Sequence, residues 1–327
     1  MLVRFFARSI ILAAMCSCAT YSLAQTAAKL APQPPPTAPP QSVASPAGRG
    51  DPASTSPEFK TAEQLLDALE KADENLRSLT SDIQYDKIDG VTGDRQIRWG
   101  KVFFKDETKS DASGVAAGKK DRKFSVRFDK LQLGQRVQDE EQLFIFDGSW
   151  LIEVNTKQQQ IIKRQVMPPG AAFDPLKIGE GPLPLPIGQK KADMLARFKV
   201  ALLADTADLT GEDAVEQAKL HQHVKGAYQL RLIPNPGTEE AEKFTEIRLW
   251  YREGDSEGGK RLLPRMARTV APKSENVSIV RMINVKTNVQ IEPKMMAADQ
   301  QGPDWNIVIE ALPGLPEGPS AVAPKKQ

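Results

Sequence analysis

Apolar residues near residue 60 follow a helical spacing, whereas most later segments alternate between apolar and polar residues. Five apolar residues from Leu65 to Leu79 recur at steps of three and four, the spacing of one face of an amphipathic helix. Thr61 and Gln64 stand just before them at the spacing of a capping box. The sequence therefore predicts one helix from about Thr61 to Leu79.

A β-meander is the clearest strand signal in the chain. The segment Gln142–Phe146 runs into Asp147 and Gly148, a pair favoured in two-residue hairpin turns, and continues through Trp150–Val154. A third alternating segment, Gln160–Lys163, follows a short polar turn. Three consecutive antiparallel strands are therefore predicted here.

Similar alternation on both sides of the meander brings the count to about eleven strands and few helices. One helix followed by many antiparallel strands indicates an α+β protein, mainly β, with a strongly curved sheet and helices on its inner face, or a barrel. The further alternating segments are 83–85, 97–103, 124–128, 198–202, 228–232, 244–251, 262–270, 277–285 and 305–309.

An apolar, proline-rich segment interrupts the strands at residues 167–186. Its six prolines exclude a helix or a central strand, because proline lacks a backbone donor and fixes φ. Leu183, Leu185 and Ile187 are apolar, and an apolar loop left in water promotes aggregation. We therefore expect this segment to lie against an apolar surface, with a short helix at Ala192–Ala196 after it.

The first 24 residues have the features of a secretory signal peptide. Two arginines precede an apolar run of about ten residues, and residues 22–24 fit a small-x-small cleavage site. This run is shorter than the roughly twenty residues that a spanning helix needs. Cys16 and Cys18 raise the alternative of a lipid anchor, but the residues before each cysteine match a lipoprotein signal poorly. We predict soluble export, with lipid attachment through Cys18 as the alternative.

Segments of low complexity flank the predicted fold. Nine of the 27 residues from Ala31 to Pro57 are proline, so residues 25–57 are predicted to form a disordered linker. Residues 314–327 are rich in Pro, Gly and Ala and are predicted to form a disordered tail. Residues 58–313 are therefore predicted to form a single folded domain.

Charge and composition exclude several functional classes. The chain has 44 Lys and Arg against 42 Asp and Glu, and two of the cations lie in the signal segment, so the mature chain carries no net charge. Such a chain lacks the field that gathers nucleic acid. Both cysteines lie in the signal segment, and His221 and His223 would share one face of a strand, too few ligands for a metal site. We predict no metal, no cofactor and no enzymatic activity.

Several of these segments together resemble the LolA family of periplasmic carriers and acceptors of outer-membrane lipoproteins. The resemblance rests on the N-terminal helix leading into Ile83–Tyr85, on Lys123–Phe128, and on the hairpin of Leu143–Val154 with its Asp-Gly turn and following glutamines. Tyr228–Pro234 resembles a later strand of the family that ends in proline. The resemblance extends over about residues 58–291.

This resemblance implies a fold and a ligand site. The family fold is a strongly curved antiparallel half-barrel with an N-terminal helix and lid helices on its concave face, around an apolar cavity for acyl chains. Leu183, Leu185 and Ile187 are then the lid, and plain core packing is the alternative for each apolar residue on the strands. The implied cavity lining is Ile97, Trp99, Phe103, Phe124, Val126, Phe128, Leu143, Ile145, Trp150 and Ile152.

The resemblance also implies a lock on the lid. In the family an arginine lies four residues before the phenylalanine that matches Phe124. This chain has Lys120 at that position and Arg122 closer, so Lys120 and Arg122 are the lid-locking candidates. Lysine lacks the planar fork with which arginine holds several carbonyl groups.

The implied function is that of a monomeric periplasmic carrier. It shields the acyl chains of lipoproteins or of a related lipid and delivers them toward the outer membrane. Its implied partners are acylated lipoproteins or lipids, with membrane proteins as donor and acceptor, and no nucleic acid. The alternative is an envelope-stress sensor that uses the same half-barrel to detect lipoproteins and signal to a membrane partner.

Overall fold

The computed structural model describes residues 59–108, 121–167, 178, 183–185, 187–256, 259–298 and 302–312. The predicted signal peptide, linker and tail lie outside the described residues, and so does Lys120. Of the proline-rich segment, Met167, Ile178 and residues 183–185 are described.

Four α-helices and one short 3₁₀-helix occur in the described part of the chain. Among the described residues, no helix is long and apolar enough to cross a membrane. The helices are α1 (Ala62–Asp73), α2 (Lys191–Arg197), α3 (Ala214–Val224), α4 (Glu239–Lys243) and the 3₁₀-helix Pro293–Met296.

Helix α1 begins where the sequence predicts and ends earlier. The backbone N–H of Gln64 donates to Thr61 Oγ1 at 3.2 Å, and the Gln64 side chain accepts from Thr61 N–H at 3.3 Å, which completes the capping box. The helix ends at Asp73 rather than near Leu79, which lies in the first strand. Leu79 is buried all the same, so its apolar character reflects strand packing and not a further helical turn.

Twelve strands form one sheet in the described residues. They are β1 (Ser78–Ile88), β2 (Arg95–Asp106), β3 (Arg122–Leu133), β4 (Arg136–Phe146), β5 (Trp150–Asn155), β6 (Gln160–Gln165), β7 (Phe198–Leu203), β8 (Tyr228–Pro234), β9 (Glu246–Ser256), β10 (Gly259–Val270), β11 (Val277–Thr287) and β12 (Asn306–Glu310). Their order in the sheet is β12-β6-β5-β4-β3-β2-β1-β11-β10-β9-β8-β7.

The sheet is curved and unclosed, with β12 and β7 at its two edges. Neighbouring strands are antiparallel except β12, which lies parallel to β6. The predicted meander is confirmed as β4–β5–β6, and the N–H of Asp147 closes its first turn on the carbonyl of Trp150 at 3.2 Å. The half-barrel class is thus confirmed, with twelve strands rather than about eleven.

Helices α1 and α2 cover one face of this sheet, which we call the inner face. Leu65 and Leu69 of α1 and Met194 of α2 are buried there in an apolar cluster that includes Ala267 of β10. Val280 of β11 lies directly opposite Ala267, and partners across an antiparallel pair share a face. The inner face therefore continues from β10 across β11 toward β1.

Helix α3 covers the opposite, outer face. Leu220 and Val224 pack with Trp250 and Met266, both fully buried. The sequence predicts a strand around His221 instead, and that prediction is wrong. Only Leu220 and Val224 of this helix are buried, which leaves too few apolar positions for a clear helical spacing.

A buried ion-pair cluster ties α3 to the sheet. Asp86 of β1 is fully buried and accepts from Nη2 of Arg95 at 2.5 Å and from Nη2 of Arg281 at 2.6 Å. Glu216 of α3 accepts from the same two nitrogens at 2.9 and 3.1 Å. The four side chains join β1, β2 and β11 to the helix on the outer face.

Burial of His223 makes the stability of the fold depend on pH. Burial lowers the pKa of His223 from 6.5 to about 4, which its hydrogen bond to the Arg265 carbonyl only partly offsets. Between these values the unfolded chain binds more protons than the folded chain, so the free energy of unfolding falls as the pH falls from about 6.5 to 4. We expect a loss of up to about 3 kcal/mol over this window.

Urea unfolding of wild type, His223→Gln and His221→Gln at several pH values measures this pH dependence of the free energy of unfolding. His223→Gln should remove most of the slope between pH 6.5 and 4, and His221→Gln should retain it because His223 is still present. An unchanged slope in His223→Gln would assign the pH dependence to other groups.

Candidate functional site

The inner face of β1 to β4 holds three of the ten predicted lining residues. Phe124, Val126 and Phe128 of β3 are at most 1% exposed. Phe124 lies directly opposite Phe104 of β2 and Phe146 of β4, and its ring stacks on that of Phe146 at 6.0 Å. We call this apolar group the inner cluster; its other buried strand and loop members are Leu76, Leu79, Ile83, Val102, Val280 and Met282.

The residues predicted as a lid pack into the inner cluster. Leu183, Leu185 and Ile187 are 7%, 3% and 2% exposed and belong to this cluster. The N–H of Leu185 donates to the Leu183 carbonyl at 2.9 Å, and that of Ile187 to the Leu185 carbonyl at 3.0 Å. We call residues 183–185 and 187–190 the lid segment. Its local hydrogen bonds are those of tight turns and not of a sheet ladder.

Helix α1 holds the far end of the lid segment through side chains. The N–H of Gly188 donates to Asp73 Oδ2 at 2.9 Å. Lys191, just after the segment, donates to both carboxylate oxygens of Asp67 at 2.8 Å. Gly188 has a φ of +71°, a conformation that glycine adopts without strain, and it turns the chain from the inner cluster toward α2.

Arg122 reaches the lid segment. Its Nη1 lies so close to Gly188 that a Cβ built on that glycine would be 2.8 Å from it. Arg122 Nε donates to Asp106 Oδ2 at 3.1 Å. Burial alone would raise the pKa of Asp106, but hydrogen bonds from Thr108 and Arg122 outweigh it and lower this pKa. The ionised carboxylate therefore holds the guanidinium beside the lid segment.

The other predicted lining residues project to the outer face. Leu143, Ile145 and Ile152 form a separate apolar cluster there, against which Ala298 and Trp305 pack. Trp150 lies two residues before Ile152 on β5 and so shares its face.

Register places the β2 candidates on the outer face as well. Phe104 of the inner cluster lies opposite Leu79 along an unbroken β1–β2 ladder, so Phe103 projects to the other face. Ile97 and Trp99 precede Phe103 by an even number of residues on the same ladder, so their side chains also project to the outer face. Three of the ten implied lining residues therefore lie on the inner face and seven on the outer face. Since opposite faces of one sheet cannot line one cavity, the ten residues do not form the single lining that the resemblance implies.

A cleft of about 410 Å³ opens beside α1, next to the inner face. Its lining combines apolar residues (Phe59, Ala68, Ala72 and Leu262) with polar and charged residues of α1 and the β9–β10 hairpin, among them Lys71, Glu253 and Lys260. The ring of Phe59 packs edge-on against Tyr228 at 4.9 Å.

Sequence reasoning missed Phe104 and Phe146 as inner-face residues. Val102, Phe103 and Phe104 are three consecutive apolar residues, so alternation alone does not say which of them face inward. Phe146 precedes the Asp-Gly turn, and its even spacing from Phe144 is the signal that could have identified it.

His221 and His223 do not face a common site. Residues two apart on a helix point in nearly opposite directions, so His221 and His223 of α3 face different surroundings. His221 Nε2 donates to the Leu209 carbonyl at 2.9 Å, and His223 Nε2 to the Arg265 carbonyl at 3.0 Å. Within the described ranges, no group of three His, Cys, Asp or Glu residues is arranged to hold a metal ion.

No family model and no curated protein matches the chain. Several solved structures are similar to the chain. A LolA superfamily protein from Nitrosomonas europaea is 13% identical with a TM-score of 0.28, and the match covers 73% of this chain and 99% of that one. LprF from Mycobacterium bovis is 12% identical with a TM-score of 0.32, covering 72% and 97%.

The MucA/MucB complex of Pseudomonas aeruginosa contains a further similar chain. It is 13% identical with a TM-score of 0.32, and the match covers 73% of this chain and 61% of that chain. Identities this low concern the fold alone. The solved structures similar to this chain thus include one that is described as a LolA superfamily protein.

Proposed function

We propose that this protein shields acyl chains of lipoproteins, or of a related lipid, between its inner face and its lid segment. The proposal includes export to the periplasm, delivery toward the outer membrane, and membrane proteins as donor and acceptor. One observation carries it: Leu183, Leu185 and Ile187 pack in the inner cluster, while the lid backbone bonds to itself and to the Asp73 side chain. A segment held in this way can be exchanged for another apolar ligand without breaking the sheet.

The energies favour such an exchange. Burying one apolar side chain contributes about 1.5–3 kcal/mol, so three lid residues hold the segment in place with roughly 5–9 kcal/mol. An acyl chain of about sixteen carbons buries roughly fifteen methylenes at about 0.8 kcal/mol each, or roughly 12 kcal/mol. Since one chain can replace the contacts of the lid, both loading and release remain possible.

Hydrogen exchange with a synthetic diacylated lipopeptide tests this proposal. We expect the amides of Leu185, Ile187 and Gly188 to exchange at least tenfold faster once the lipopeptide is added, because the lid leaves the inner cluster. The same peptide without acyl chains should have no effect. The amides of β8 should be unaffected by either ligand and serve as an internal reference.

A lid variant sharpens the test. Leu185→Ser weakens the packing that competes with the ligand, so the lipopeptide Kd should fall about tenfold. Leu195→Ser, an equal change at an exposed position of α2, should leave the Kd unchanged. Unaltered lid exchange with bound lipopeptide, or equal affinities of the two variants, would mean that the lid segment is ordinary core packing.

A further inference from the structure

Three arginines lie close together on the outer face of the β9–β10 hairpin. Arg252 of β9 is directly opposite Leu263 of β10, and Arg261 lies two residues before Leu263 on the same face, whereas Arg265 is the bulge residue between Pro264 and Met266. Diagonal neighbours across an antiparallel pair are about 7–8 Å apart, within reach of long side chains. The Arg265 carbonyl accepts from His223, and Arg252 donates to the Lys225 carbonyl, so both residues lie at the end of α3 on this face. We call Arg252, Arg261 and Arg265 the arginine patch.

Two of these arginines have buried donors without an acceptor. Nη1 of Arg261 and Nε of Arg265 are buried and have no hydrogen-bond partner in the part of the chain that the structure describes. Among the described residues, no carboxylate forms an ion pair with Arg252, Arg261 or Arg265. A buried donor left unpaired is destabilising, and more so when it is charged, so these N–H groups favour a ligand that supplies oxygen atoms.

Acidic residues near the arginine patch do not neutralise it, because they lie on the other face of the sheet or pair with other arginines. Glu253 follows Arg252 in sequence, but strand alternation places it on the inner face. Asp86 and Glu216 bind Arg281 on the outer face. Glu246 pairs with three arginines of the same sheet, Arg231, Arg248 and Arg268.

The carboxyl end of α3 borders the arginine patch. Arg252 Nη1 donates to the Lys225 carbonyl at 3.2 Å, and the Arg265 carbonyl accepts from His223 Nε2 at 3.0 Å. His223 is neutral at pH 7, chiefly because burial lowers its pKa to about 4. Burial, and next to it the charge of Arg252, lower the pKa of Arg265.

We propose that the arginine patch binds a phosphate group, carried by a small molecule or by a lipid headgroup. The planar fork of arginine matches two phosphate oxygens at once. A phosphate monoester carries about −1.5 to −2 charges at pH 7, more than the single charge of a carboxylate, and so balances three guanidinium groups better. The patch lies on the outer face, apart from the inner cluster, and this site does not depend on the acyl exchange proposed above.

Calorimetric titration of the full chain with inorganic phosphate, at ionic strength fixed with chloride, tests the site. We expect binding of one phosphate, which Arg252→Gln weakens at least tenfold and Arg252→Lys weakens less because lysine retains the charge. Arg136→Gln makes the same charge change at an exposed position at the start of β4 and should leave binding unchanged.

Sedimentation with phosphatidylcholine vesicles, with and without phosphatidic acid, identifies the source of the phosphate. Binding of phosphatidic acid vesicles that is lost in Arg252→Gln but kept in Arg136→Gln supports a lipid headgroup. Binding of inorganic phosphate alone, with the same variant pattern, supports a small phosphate compound. If wild type binds neither probe, or if Arg252→Gln and Arg136→Gln bind equally well, the proposal is overturned.

Discussion

Asp86→Asn is expected to lower the free energy of unfolding by about 3–5 kcal/mol, the cost of leaving a buried charge without its partner. Arg281 is 7% exposed and donates to Asp86, and Arg95 shares the same carboxylate. Asparagine keeps the shape of the side chain and removes the charge. Glu216 and the exposed Glu212 must then balance two guanidinium groups, and their contacts with them are longer.

Asp82→Asn is the matched control for this experiment. Asp82 lies on the same strand and pairs with Lys101, but both side chains are exposed. Exposed ion pairs contribute about 0–1 kcal/mol, so urea unfolding should show a loss of less than about 1 kcal/mol. Equal losses in the two variants would mean that the buried cluster is not what attaches α3 to the sheet.

Phe124→Ala is expected to cost about 3–5 kcal/mol in the free energy of unfolding, because it leaves a cavity in the middle of the inner cluster. Phe124 is 1% exposed, stacks on Phe146 and shares its cluster with the lid residues. The same change should speed hydrogen exchange of the Ile187 amide, since the lid loses part of the surface against which it packs.

Phe59→Ala provides the comparison for this variant. Phe59 is half-buried at the start of the described chain and packs against Tyr228 at the edge of a different cluster. We expect a loss of about 1 kcal/mol and no change in lid exchange. A loss below about 1 kcal/mol in Phe124→Ala, measured by urea unfolding, would contradict its central place in the inner cluster.

Local signals in the sequence predicted much of the fold. The capping box at Thr61 and the Asp147-Gly148 turn act over a few residues, and both are found as predicted. Helix α3 escaped prediction because its stability comes from tertiary contacts, namely the packing of Leu220 on Trp250 and the ion pairs of Glu216.

The faces of the strands were harder to predict than the strands themselves. The prediction assigned both Phe103 and Phe124 to the lining, whereas the pairing register places Ser125 opposite Phe103 and Phe104 opposite Phe124. A shift of one residue moves a side chain to the other face, and both faces of this sheet are apolar because helices and loops cover both. Hydrophobicity alone could therefore not separate inner-face from outer-face residues.

The contact of Arg122 with the lid segment could not be predicted from the spacing of residues in the sequence. The position that matches the family arginine is Lys120, outside the described residues, and Arg122 is the side chain found against Gly188. Its partner Asp106 lies at the end of β2, sixteen residues earlier in the chain. A contact between strand ends of this kind depends on the register and not on any local spacing.

Native mass spectrometry of the protein purified from bacterial cells, without added lipid, tests the central claim most directly. We expect a population heavier than the bare chain by the mass of an acylated molecule, which collisional activation releases from the protein. This population should grow in Leu185→Ser, whose lid competes less well for the inner cluster, and should remain unchanged in Leu195→Ser. Only the bare chain in all three proteins, both as purified and after incubation with a diacylated lipopeptide, would contradict the claim that the inner face holds acyl chains.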